Sequence, residues 1–143
     1  MSRAGYYEGD GSQEDNWAHI KWRGQVASAL RGKRGQKFLH DLIEALDALP
    51  VKALIANELE QNGNYCAIGA VGLKRGVDMS CLDPKNSAQV ANTFDIADQM
   101  AREIVYENDE NSWNFKEQRD ETPEERWQRM RAWAVACLNK EEK

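Results

Sequence analysis

Histidine, cysteine and clustered charge are the residue types in this sequence that could do chemistry. His19 and His40 both lie in a basic segment, and Asp41 follows His40 directly. Neighbouring residues on a helix point apart, so His40 and Asp41 do not make an acid–base dyad by themselves. Cys66, Cys81 and Cys137 are odd in number and lack CxxC or Cys/His spacing, which argues against a zinc site and a disulfide framework. No GxSxG, HExxH or papain-like cysteine context is present. Glu107, Asp109 and Glu110 offer carboxylates to a cation, but without the spaced oxygens and turn glycine of a calcium loop. The expectation is therefore no cofactor, no metal and no catalytic residue, leaving an enzymatic role only if the fold brings a histidine beside an acid and a pocket.

The charge clusters carry a stronger signal. Residues 16–40 contain Lys21, Arg23, Arg31, Lys33, Arg34 and Lys37 without one Asp or Glu, and the tripeptide Arg-Gly-Gln occurs twice, at 23–25 and 34–36. A Gly-rich corner, RGKRG, could hold a phosphate through backbone amides and cations at the start of the following helix. It is not a Walker A loop, since no Lys-Ser/Thr follows at the required spacing, and the glycines of GAVGLKRG do not fit a dinucleotide fingerprint. The bland alternative is a basic face that is solvated or paired with acids of the same chain. Residues 101–126, with nine acids and four bases, are the natural counterpart. Within them Tyr106, Asp109, Glu110, Trp113 and Phe115 form an acidic stretch with aromatics that either fold back onto the core or anchor a partner. The two candidate partner-binding surfaces are thus the basic patch Lys21, Arg23, Arg31, Lys33, Arg34 and Lys37, and this acidic and aromatic loop.

VANTFDIADQMAREI, around residues 88–105, has the spacing of a helix-turn-helix: Ala91 in the first helix, Asp95-Ile96 at the turn, Ala101 and Ile104 as buried positions of the second. Asp95 stands where glycine is usual. The outer face would offer Asp98, Gln99, Arg102 and Glu103, with net negative charge towards a polyanion. A structural corner is the better reading than a DNA reader.

The elements that must position these residues are mostly helical. Trp22, Val26, Ala29 and Leu30 make one stripe of a helix over about 16–31, which Gly32 and again Gly35 interrupt. Phe38, Leu39, Leu42, Ile43, Leu46 and Leu49 give a wide apolar face to a helix over about 36–48, ended by Pro50. Val51, Ala53, Ile55 and Leu59 approach a period of two, and Asn62-Gly63 is a type I′ turn pair, so a short hairpin is predicted within about 51–68. A helix rich in small residues follows, with Gly76 as its stop and Cys66 packing at its start. Short helices are predicted at 87–93 and 97–108, then a long acidic loop. Thr122, Pro123 and Glu125 spell the capped start of a last helix carrying Trp127, Met130, Ala134, Cys137 and Leu138. Trp22, Trp127 and Trp133 fit core stripes. The fold class is mainly α: one compact domain of five or six helices over 16–143, preceded by a flexible arm, 1–15, rich in Gly, Ser and acid.

Length and composition agree with that class: 143 residues, 41% apolar, formal charge −5. The acidic total argues against a protein devoted to nonspecific nucleic-acid binding. No apolar run approaches the roughly 18 residues of a membrane span, and the N-terminus lacks the apolar stretch of a signal peptide. A cytoplasmic protein is expected.

The strings WRGQVASALRGKRGQ, CAIGAVGLKRGVDM, IVYENDE and TPEERWQRMRAW resemble a group of small bacteriophage and prophage proteins of uncharacterised activity, over about residues 17–136. The resemblance implies a phage-related setting inside a bacterial cell and carries over no site residue. The leading expectation is a non-catalytic accessory protein that binds a macromolecule, such as a host or defence factor. The alternative is a nucleic-acid-binding regulator using the basic segment 21–37 and the corner at 88–105. Oligomeric state is not legible.

Overall fold

The computed structural model describes residues 13–110, 113–114 and 117–139. Six helices lie among them: α1 (Gln13–Arg31), α2 (Lys33–Ala48), α3 (Ala67–Arg75), α4 (Ser87–Phe94), α5 (Asp98–Asp109) and α6 (Pro123–Cys137). The mainly α fold and the helix count agree with the sequence. Most of the predicted arm, residues 1–12, lies outside the described residues, and α1 begins at Gln13, inside the segment expected to be irregular.

Helix α2 is the centre of the packing. Phe38, Leu39, Leu42, Ala45 and Leu46 recur at helical spacing and are all buried, each large one contributing roughly 1.5–3 kcal/mol on leaving water. α2 lies against α1, α3 and α6, while α5 lies against α1, α3, α4 and α6. Ile68 and Val71 from α3, Phe94 from α4, Met100, Ala101 and Ile104 from α5, and Met130 and Ala134 from α6 complete one cluster. The rings of Phe38 and Phe94 meet edge to face with centroids 6.2 Å apart. The end of α2 is held from outside: Lys52 Nζ donates to the Asp47 and Leu49 carbonyls, and Trp127 Nε1 to the Leu46 carbonyl at 2.9 Å.

Local chemistry sets several boundaries as the sequence predicts. Asn62 and Gly63 both take positive φ, 55° and 80°, making the two-residue turn between β1 (Glu60–Gln61) and β2 (Asn64–Tyr65). The hairpin is confined to 60–65; residues 51–59 run irregularly, bonded to α6 and β2 rather than into a strand. Gly76 stops α3 in the left-handed region. Thr122 and Glu125 form both bonds of the capping box. Cys66 packs as expected and adds an N-cap, its Sγ accepting from the Gly69 N–H at 3.3 Å.

Two expectations are corrected. Gly35 does not interrupt α2, which starts at Lys33. The stretch predicted as one long acidic loop is the end of α5 followed by a second hairpin, β3 (Trp113–Asn114) paired with β4 (Arg119–Asp120). Its turn includes Gln118 at φ 53°, without a glycine to announce it.

Candidate functional site

The corner between α1 and α2 gathers most of the predicted basic patch, and glycine makes it tight. Gly32 is the extended N-cap of α2, and no side chain caps the new helix. At Gly35 a Cβ would stand 2.1 Å from the Ala29 carbonyl oxygen, so only hydrogen fits where α2 crosses the end of α1. Gln36 then binds the corner together. Its Nε2 donates to the Leu30 carbonyl at 2.7 Å and the Cys137 carbonyl at 3.1 Å, and its Oε1 accepts from the Asn139 N–H at 2.8 Å.

The six cations divide. Arg23 makes a two-pronged bond to Glu103 of α5, at 2.7 and 2.9 Å, and Glu103 is only 3% exposed. Next to it the Arg102 guanidinium lies 4.6 Å from the Trp22 ring centroid. Arg34 reaches Asp95 at 3.3 Å, an exposed pair that contributes little in water. Lys21 stands over the Trp17 ring at 5.8 Å. Arg31, Lys33 and Lys37 are exposed, and among the described residues their side chains make no hydrogen bond or ion pair. The two arginines of the repeated Arg-Gly-Gln therefore turn to acids of the 88–105 corner and α5. The acidic stretch is answered instead from α6 and its flank: Glu107 and Glu121 by Arg129, Glu121 also by Arg126, Glu125 by Arg119.

Between α1, the start of α2 and the start of α5 lies a cleft of about 470 Å³. Gln25, Ser28, Lys33, Arg34 and Gln99 supply its polar lining, and no carboxylate is among the lining residues. Gln99 Nε2 and Gln25 Oε1 approach to 3.4 Å. The first turns of α2 and α5 both border it, since Gly32, Lys33 and Ala97 line the wall and neither Gly32 nor Ala97 is a side-chain cap. Such ends carry unsatisfied N–H groups and partial positive charge. The arrangement suits an anionic group; it holds no nucleophile poised beside a base.

The predicted helix-turn-helix geometry is present as a corner. Ala91, Ile96, Ala101 and Ile104 are buried, and Asp95 itself adopts the left-handed conformation, φ 56°, that glycine usually supplies. Three of the four residues of its outer face are engaged: Gln99, Arg102 and Glu103 contact Gln25, Trp22 and Arg23 of α1, while the buried Asp98 Oδ1 has no hydrogen-bond partner among the described residues.

In the second predicted surface, Tyr106 packs against the core and Asp109 Oδ1 accepts from the Asn57 N–H at 3.0 Å and Asn108 Nδ2 at 2.8 Å. Glu110 is exposed at the end of α5. Trp113 contributes backbone to β3 opposite Asp120, and Phe115 lies outside the described residues. His40 is exposed on α2 without a bond to a carboxylate among the described residues. Cys81 is exposed and Cys137 half-buried, its thiol pushed up by burial with Glu103 and Glu107 near. Among the described residues no group of three or more His, Cys, Asp or Glu is placed to hold a metal, and no helix is long and apolar enough to cross a membrane.

Sequence reasoning missed Gln25, Ser28 and Gln99 as cleft residues. Gln25 and Gln99 are 74 positions apart, and uncharged side chains on separate helices give no local signal of convergence. Comparison with protein-family models, curated proteins and solved structures finds no match.

Proposed function

We propose that this protein is a non-catalytic accessory protein that binds an acidic segment of a protein partner at the cleft between α1, α2 and α5. The observation that carries the reading is the exposed cationic rim. Lys33 and Arg34 line a cleft with no lining carboxylate, Lys37 sits one turn beyond Lys33 on α2, and Arg31 borders the same corner. A carboxylate entering there meets two cations and two helix N-termini, and Arg34 gives up only a weak exposed pair to receive it. The setting, a phage-related protein in the cytoplasm of a bacterial host, is taken from the sequence resemblance alone.

The test is capture from bacterial lysate with wild type and the charge-reversed variant K33E/R34E/K37E, after circular dichroism establishes equal folding. A partner held by wild type and lost by the variant, with affinity falling as salt rises, is the expected result. Equal capture by both, or capture of nothing, ends the reading.

A second reading, nucleic-acid binding, draws on the same two uncapped helix ends, which suit a backbone phosphate as well. A gel shift at low salt with a steep salt slope would favour it over a protein partner.

A further inference from the structure

Gly24 sits in the middle of α1, a 19-residue helix, where glycine costs roughly 0.5–1 kcal/mol relative to alanine. Packing among the described residues gives no reason for it. A Cβ at Gly35, Gly69 or Gly72 would come within 2.1, 1.8 or 2.5 Å of an atom of this chain, but at Gly24 nothing lies within 4 Å. The glycine stands at the centre of an exposed helix face. At 100° per residue, Trp17, Ile20, Lys21, Ser28 and Arg31 all fall within about 60° of it. Trp17 and Ile20 are each 59% exposed, two large apolar side chains one turn apart, with Lys21 Nζ of the same helix 5.8 Å from the Trp17 ring centroid.

We propose that this face of α1 pairs, antiparallel, with the same face of a second copy, about a two-fold axis passing beside Gly24. The face meets the cleft at Ser28 and the basic corner at Arg31, but the observation that carries it, Gly24 with Trp17 and Ile20, lies outside both. Three features select a second copy as the occupant. First, the face is self-complementary about Gly24. Trp17 and Arg31 lie seven residues to either side, about 10.5 Å along the axis, so each tryptophan ring meets the partner copy's Arg31 guanidinium. That guanidinium has no bond within its own chain among the described residues, and a cation over an indole face is favourable. Ile20 and Ser28, four residues to either side, pair in the same way.

Second, charge fixes the direction. Antiparallel copies set Trp17 against the partner copy's Arg31 twice over, whereas parallel copies would set Arg31 against Arg31. Third, two glycines at the crossing let the backbones approach closely, as small residues do wherever helices pack tightly, and the larger side chains at either end of the face close around them. A two-fold axis makes both halves of the contact equivalent, as in most homodimers.

Sedimentation velocity on the full chain, from micromolar to millimolar concentration, tests this. The sedimentation coefficient of wild type rises with concentration to that of a dimer, and added salt weakens the association. Gly24→Leu and Trp17→Ala each raise the dissociation constant by at least about tenfold, the loss expected of a central contact. Gly24→Leu also separates association from folding, because removing a mid-helix glycine leaves the thermal midpoint of the dilute monomer unchanged or higher while the dimer is lost. Ala132→Leu, an exposed position on α6, serves as the control and dimerises like wild type. A wild type that stays monomeric at millimolar concentration overturns the proposal, as does a dimer that survives both Gly24→Leu and Trp17→Ala.

Discussion

Charged side chains differ in this molecule by what surrounds them. Glu103 is buried with Arg23 closing on it from the outer side, so its pair resists screening, whereas Arg34 and Asp95 meet in open solvent and contribute little. Glu125 is a third case, half-buried and multiply bonded. The Arg119 guanidinium, at 2.7 Å, together with the Thr122 backbone N–H, at 2.8 Å, holds its carboxyl down to about 2 from an ordinary 4.5. A depressed carboxylate contributes stability that is full above its unfolded value and is lost as pH falls through the folded one. Glu125→Gln keeps a group able to complete the capping box but loses the charge. Its melting temperature should therefore lie below wild type at pH 7, and the gap should close as pH falls from about 4.5 to about 2, as followed by thermal melts across that range.

At the scale of elements, close approach is built from glycine, and this explains both what the sequence announced and what it hid. A Cβ at Gly69 would stand 1.8 Å from the Leu59 carbonyl oxygen, which itself accepts from the Cys66 N–H. Backbone cannot yield there as a side-chain end could. Gly69→Ala should cost about 3 kcal/mol, the upper part of the range for overpacking, measured by urea unfolding, although alanine is the better helix former. Gly35 is the same device, and read without its neighbours it looked like a helix breaker. Features decided by adjacent residues were legible: the Asn62-Gly63 turn, the Gly76 stop, the Thr122–Glu125 box and the apolar face of α2. The β3–β4 hairpin was not, because two-residue strands carry no periodicity and Gln118 is an unusual turn residue. At the site, the basic corner could be read as a segment, but its partition could not. Arg23 and Arg34 find their acids 80 and 61 positions away, across helix contacts that no local pattern encodes.

At the scale of the whole molecule, two of the polar ties between distant segments join α6 and its end to the rest of the fold. Arg126 is 9% exposed and donates to the Leu54 and Asn108 carbonyls at 3.0 Å each, with Glu121 3.4 Å away, joining α6 to the segment after α2 and to the end of α5. Arg126→Met should cost about 3–5 kcal/mol by leaving those buried acceptors unanswered, seen as a lowered urea midpoint for the entire transition. Gln36 is the other tie, and it links the α1–α2 corner to residues 137 and 139. During synthesis the chain emerges from the ribosome N-terminus first. The corner that carries the cationic cleft therefore lacks two of its Gln36 bonds until some hundred further residues have been translated and have left the exit tunnel. Nascent chains should thus hold α2 against α1 before they hold the finished corner, which is completed only once residues 137 and 139 are free to fold onto Gln36.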